Sequence, residues 1–248
     1  MPRVSLDNNS LLSYNLRRTS SKTIIASRRS STVSDYTAGK AWKMTKEQRI
    51  MEIAFQLFSE KGIEPVTMLE VAEKSGVGRA TLYRYFATKT DLVIAVGAWE
   101  WKKYIKENNE IYSEVRDRLT GAERLRLYFD TYLDLYRNHR DVLCFNYNIN
   151  SYLNYDTGTK DQKQPYITVV EQLRQRFHEV YMLGMKDGTL NPEVPESEMF
   201  NSSFHLMLAV ASRYAIGLIY NPGKEMASEK ELIMLEELLL SRFTSGSI

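Results

Sequence analysis

Residues 66–93 read VTMLEVAEKSGVGRATLYRYFATKTDLV. Thr67 followed three residues later by Glu70 has the pattern of a capping box and opens a short helix over TMLEVAEKS. Gly76 ends it, since a helix C-terminus favours a residue that enters the left-handed region without a Cβ penalty. After the GVG corner the spacing predicts a third helix over 79–86. Leu82 and Phe86 lie one turn apart on it and, with Val77, can pack on Val71, Ala72 and the preceding helix. The opposite side carries Arg79, Ala80, Tyr83 and Arg84. A buried helix would not spend so many polar groups there, and a plain solvated one would not crowd Tyr83, Tyr85 and Phe86 together. A short polar helix held by a tight turn, with the small Ala80 between long side chains, fits the major groove of B-DNA, about 12 Å wide. Arginine can donate two hydrogen bonds to guanine, while Thr and Tyr hydroxyls suit phosphates.

The pattern continues on both sides of this corner. Upstream, Thr45 and Gln48 have capping-box spacing, and Ile50, Ile53, Ala54, Leu57 and Phe58 then follow at helical spacing until Gly62. Downstream, Thr88 with Asp91 starts a fourth helix that runs through LVIAVGAWEWKKYIKENNEIYSEV. Thr120 and Glu123 cap a fifth, with Leu125, Tyr128, Phe129, Tyr132, Leu133 and Tyr136 on one face. A shorter helical piece over 141–154 leads to the polar loop YDTGTKDQKQ. Pro165 suits the first position of a helix over 165–186, ended by Gly188. After the break NPEVPES two last helices are expected, about 196–220 and 229–243, the second capped by Ser228 and Glu231. Nothing reads as a strand, so the chain is expected to be all-α.

Composition sets the broad limits. With 248 residues, 43% hydrophobic and 26% charged, the chain can bury a full core. The most apolar stretch, 204–220, is interrupted by His205 and Arg213, which reads as a buried helix rather than a membrane span. Cys144 is the single cysteine, so no intrachain disulfide forms and a reducing cytoplasm is the natural setting. Of the 33 basic and 31 acidic residues, eight and two lie within residues 1–43, leaving a mildly acidic body. DNA contact must therefore come from a local patch. Residues 1–43 are rich in Ser, Thr and Arg without periodicity and are expected to be disordered. Three readings of this stretch stay open: an extension upstream of a working start at Met44, a basic arm adding non-specific DNA affinity, or a targeting peptide.

The run 66–93 closely resembles the DNA-binding domain of the TetR family of bacterial transcriptional regulators, in the Gly-Val turn, the Leu-Tyr-x-x-Phe centre and the Lys three residues after that Phe. The resemblance covers roughly residues 46–92. It implies a helix-turn-helix DNA-binding domain over 44–92, joined by a linking helix to a larger helical domain over 93–248 that binds a small effector and dimerises. It implies base contacts from Arg79, Ala80 and Thr81, with Arg84 beside them, and phosphate contacts from Thr67, Tyr83, Tyr85 and Lys89. Lys89 also lies in the first turn of the fourth helix, where free N–H groups and the dipole favour a phosphate. Two positions depart from the family pattern: Leu69 stands where a polar or basic residue is common, and Gly78 where Ser often caps the third helix. The partners implied are a palindromic double-stranded DNA operator, a small effector and a second copy of the chain. A repressor released by the effector is the expected function; a regulator controlled by a protein partner, or by no effector, is the alternative.

Beyond residue 100 the similarity is loose, although GMKDGTLNPEV resembles the loop before the family's penultimate helix. LMLAVA at 206–211 is apolar all round, and Leu232, Leu235, Leu238, Leu239 and Phe243 form a stripe, so the last two helices are expected to build a four-helix dimer interface. The chain has sixteen tyrosines. Tyr128, Tyr132, Phe145, Tyr147, Tyr152, Phe177, Tyr181 and His205 are candidates for a pocket that takes a lipophilic or aromatic effector; the competing reading makes each a core residue with its polar tip at the surface. His139, His178 and His205 lack metal-ligand spacing, Cys144 lacks an evident partner, and no phosphate loop, dinucleotide fingerprint or nucleophile elbow occurs. No cofactor, metal or catalytic residue is expected.

Overall fold

Helix α1, Lys46–Lys61, buries two faces. Ile50, Ala54, Leu57 and Phe58 are buried as the periodicity predicts, but so are Met51 and Phe55. The second face is covered because α1 lies between α2 and a helix of the larger body. The computed structural model describes residues 44–155, 159–218 and 225–246; the arm expected over 1–43 lies outside them. The described helices after α1 are α2 (Met68–Ser75), α3 (Arg79–Tyr85), α4 (Lys89–Val115), α5 (Gly121–Asn138), α6 (Arg140–Tyr155), α7 (Lys160–Asp187), α8 (Glu196–Ile216) and α9 (Glu225–Phe243). A short 3-10 turn, Arg116–Arg118, follows α4. Among the described residues there is no strand, only one antiparallel bridge between Leu190 and Thr244.

α5 packs on α7 and α8, α6 packs on α8, and α9 closes against α5 and α8. α4 runs along α1, α6 and α7, so the same helix touches both the N-terminal helices and the body. The junction is aromatic: the Phe145 ring on α6 meets Phe55 and Phe58 of α1 at centroid distances of 5.7 and 6.2 Å. The predicted inner face of α5 is buried throughout. Asn191 N–H donates to the Phe243 carbonyl at 2.8 Å and Ser245 N–H to that of Thr189 at 3.0 Å, tying the end of α9 to the loop after α7.

Local chemistry explains most boundaries, corrects two and leaves one expected capping box half-formed. Thr88 with Asp91 and Thr120 with Glu123 form complete capping boxes. At Thr67 only half of the expected box exists: its Oγ1 accepts from Glu70 N–H at 3.1 Å, while the Glu70 carboxylate turns to Lys61 Nζ at 2.6 Å. α7 starts five residues earlier than Pro165 suggested, because Thr159 and Gln162 form a capping box. Pro165 sits inside the helix, which forgoes one intrahelical bond there, and the predicted polar loop shrinks accordingly. α9 likewise begins at Glu225, so Ser228 is a buried residue within the helix and not its cap.

Candidate nucleic-acid interface

The corner is built by two glycines with different tasks. Gly76 adopts φ 67° and ψ 30° and ends α2, with Val77 N–H donating to the Ala72 carbonyl at 3.1 Å. A side chain there would be strained. Gly78 takes the N-cap position of α3 in extended geometry and offers no side-chain cap. Leu82 and Phe86 are buried, Val77 half-buried, and all three belong to the same core as Val71 and Ala72. With those side chains fixed inward, helical geometry turns Arg79, Ala80, Tyr83 and Arg84 to solvent, and each is exposed.

Electrostatics on this face leave donors available. The Arg79 guanidinium stands 5.5 Å from the Tyr83 ring centroid, and Arg84 stands 5.5 Å from that of Tyr85. Neither arginine forms an ion pair among the described residues. Each is steered along a tyrosine ring, which orders the side chain without consuming its N–H groups. Tyr83 and Tyr85 are 40% and 38% exposed. Thr81 is half-buried at the edge of the row. Thr67 is exposed at the start of α2, and its hydroxyl oxygen accepts the cap bond while the hydroxyl proton stays free to donate. Lys89 is less free: its Nζ donates to the Glu64 carbonyl at 2.9 Å and lies 5.7 Å from the Tyr152 ring. Burial lowers its pKa from the ordinary lysine value, opposed by the Glu64 carboxylate. Leu69 is 53% exposed on α2, an apolar side chain beside this polar face.

The proposed pocket residues separate into groups. Tyr128, Tyr132 and Phe177 come together: the Tyr132 hydroxyl donates to that of Tyr128 at 3.2 Å, and the Tyr128 and Phe177 rings meet edge-on at 5.3 Å. Burial pushes the Tyr128 pKa up to about 12 and holds that of Tyr132 well above the usual phenol value, so both stay neutral donors. Phe145 is instead part of the α1–α6 junction. Tyr147 faces outward, 45% exposed, because two residues along a helix turn a side chain to another side. Tyr152 bonds the Thr90 hydroxyl at 3.1 Å, near the start of α4. Tyr181 is half-buried against the core. His205 is exposed on α8.

A cleft beside Tyr128 and Tyr132 is also lined by Trp101, Tyr104, Arg176 and Phe204, which the sequence alone did not single out. Trp101, Tyr104, Ile105 and Asn108 follow helical spacing on α4, a signal present in the sequence. Arg176 had none. Among the described residues, no cluster of His, Cys, Asp and Glu could hold a metal ion, and no helix is long and apolar enough to cross a membrane.

Comparison with known proteins agrees with this geometry. Residues 50–96 match the family described as bacterial regulatory proteins, tetR family. The HTH-type transcriptional regulator SAB2452 of Staphylococcus aureus (strain bovine RF122 / ET3-1) is 30% identical over 128 residues, a match that covers 38% of this chain and 69% of that protein. Other Staphylococcus aureus regulators are matched over half their length or less. Among solved structures, a transcriptional regulator from Saccharomonospora viridis in complex with choline superposes with TM-score 0.61 at 17% identity, covering 81% of this chain and 98% of its own. The regulator FadR of Bacillus subtilis in complex with stearoyl-CoA gives TM-score 0.61 at 16% identity, covering 78% and 97%. At such identities these two structures establish the shared all-helical fold. The helix-turn-helix geometry, the family match over α1–α4 and the staphylococcal relative together carry one conclusion: the chain belongs to the TetR family of DNA-binding transcriptional regulators.

Proposed function

We propose that the protein is a homodimeric repressor that occupies a palindromic operator and leaves it when a small effector binds the helical domain. The observation that carries this is the exposed row on α3, two guanidinium groups laid along tyrosine rings with their donors unspent. In this reading residues 44–92 form the reading head and 93–248 the effector and dimerisation domain. Arg79, Ala80 and Thr81 meet base edges with Arg84 beside them, while Thr67, Tyr83, Tyr85 and Lys89 meet phosphates. One seven-residue helix reads few bases, so two heads related by a twofold axis are needed. The exposed apolar side chains Leu206 and Ile216 on α8, and Met234 and Leu238 on α9, support pairing through the last two helices. A cytoplasmic setting follows from this role.

The effector would act through α4. That helix contributes Trp101 and Tyr104 to the cleft and also begins at Lys89, under the head. Its first turn is tied to the body by the Thr90–Tyr152 bond and by Gln162 Nε2 donating to Asp91 at 3.3 Å. A shift of α4 would move the heads off successive major grooves, about 34 Å apart. Carrying the population from 1:99 to 99:1 requires a preference of about 5.5 kcal/mol between the two states. The neighbours solved with choline and with stearoyl-CoA support a ligand in the helical domain of this chain.

Footprinting across the source organism's promoters tests the DNA role, with a protected palindrome as the expected result and its absence as the refutation. Thermal-shift screening of a metabolite library, followed by operator release for each hit, tests the effector. Consistent silence would favour control by a protein partner or by none. Leu238→Glu should shift the dimer to monomer in light scattering; a variant that remains dimeric would remove α9 from the interface.

A further inference from the structure

We infer that the cleft between α4, α5 and α7 takes an acidic ligand with a flat apolar body, its anion held by the Arg176 guanidinium. This rests on the effector reading above and names the chemistry of that site. The walls are aromatic and apolar, from Trp101, Tyr104, Tyr128, Leu173 and Phe204. Arg176 is the charged group among the lining residues. Its guanidinium lies 4.6 Å from the Tyr112 ring centroid and has no hydrogen-bond or ion-pair partner among the described residues. Glu179 acts on it through space without pairing. Burial lowers its pKa, and the groups that oppose this are mainly the phenols of Tyr112, Tyr128 and Tyr104. Among the described residues the buried Tyr112 hydroxyl has no hydrogen-bond partner.

A partly desolvated cation without a counter-ion is a cost that the free protein bears. A carboxylate removes it, because the planar guanidinium can donate two parallel bonds to its oxygens. Aromatic walls alone would also accept a quaternary ammonium, but Arg176 repels one, so this cleft should reject the class of ligand seen in the choline-bound neighbour. The cavity measures about 20 Å³ here, room for about one water molecule. A larger ligand must therefore part α4, α5 and α7, and that displacement is what would reach the heads.

The test uses a matched pair of probes, 1-naphthaleneacetate and 1-naphthaleneacetamide, which share the ring system and differ in charge. Calorimetric titration of the full chain should show the acid binding at least tenfold tighter than the amide. Arg176→Gln should bring the two within about twofold, and Arg176→Lys should recover part of the difference. Equal binding of the two probes by the unaltered protein overturns the inference, whether or not the variants fold. So does a loss in Arg176→Gln that is the same for both, which would make the side chain structural. If the amide binds and releases operator DNA as well as the acid does, the anion assignment falls while the effector reading stands. If neither binds a protein that still shifts the operator, the acidic-ligand inference falls while the effector reading stands on the library screen.

Discussion

The ammonium group of Lys89 donates to the backbone carbonyl of Glu64 across 25 residues of chain, at 2.9 Å. The bond joins the first turn of α4 to the loop before α2, so the lysine braces the reading head even without DNA. In the proposed function that position lets it meet a phosphate without reading a base. Lys89→Ala should weaken all DNA sequences alike and lower the slope of log K against log salt by about one. Arg79→Ala should cost about 1–3 kcal/mol on the preferred operator and relax base choice at one position. Binding titrations at several salt concentrations, on operator and random DNA, separate the two. Identical behaviour would dissolve the division between reading and positioning.

Phe145 links α6 to α1. It is 2% exposed, stacked on Phe58 and edge-on to Phe55. Phe145→Ala should cost about 3–5 kcal/mol of stability, measured by urea denaturation. Because the cavity opens between α1 and α6, operator affinity should fall even where the variant stays folded. A loss of stability under about 1 kcal/mol would mean that the junction is not a core.

Glu100 on α4 gives a pH dependence. Its side chain is 4% exposed, and burial raises its pKa to about 7 although Lys103 Nζ donates to it at 2.8 Å. A carboxyl whose folded pKa lies above its unfolded value favours the folded state while protonated. This contribution is complete below about pH 4.5 and is lost as pH rises through 7. Glu100→Gln should therefore stabilise the protein by up to about 3 kcal/mol at pH 8, since each tenfold change in proton affinity between the folded and unfolded states is worth about 1.4 kcal/mol. Near pH 4.5 it should leave stability unchanged. Thermal melts across that range decide it; a variant less stable at pH 8 would make the Lys103 pair a net stabiliser.

How much the sequence disclosed follows from how local each determinant is. Thr88 with Asp91, Thr120 with Glu123 and the left-handed Gly76 and Gly188 act within four residues, and the helix limits they set were legible. Pro165 misled because proline favours a first turn, yet the Thr159–Gln162 box upstream outweighed it. Tyrosine content pointed to an aromatic interior but not to its partition. Phe145 and Tyr152 share a face of α6 that meets α1 and α4, whereas Tyr147 points away. The cleft escaped because it needs Trp101 from α4, Tyr128 from α5 and Arg176 from α7 in one place. That convergence depends on helix crossings such as Gly121 against Gly184, where an added Cβ would sit 2.1 Å from the facing Cα. No spacing within one helix encodes it.

Gly78 is where the chain departs from the family's common serine, and its geometry says what restoring the side chain would do. Its φ of −68° and ψ of 150° are ordinary N-cap values open to any residue, and an added Cβ would meet nothing within 4 Å. α3 therefore begins with no side-chain cap although the backbone is ready for one. A serine oxygen could accept from the first-turn N–H groups, and replacing glycine by a capping residue is worth a few tenths of a kcal/mol. The DNA effect should be larger, since the hydroxyl can also donate to a phosphate beside the exposed row of Arg79 and Tyr83. Gly78→Ser should thus raise Tm slightly and tighten binding to operator and random DNA by a similar factor, leaving base preference as it was. Side-by-side titrations of the two DNAs measure this. A serine variant that gains on the operator alone would place position 78 among the base-reading residues, and one that loses on both would mean that the corner approaches DNA too closely for any side chain.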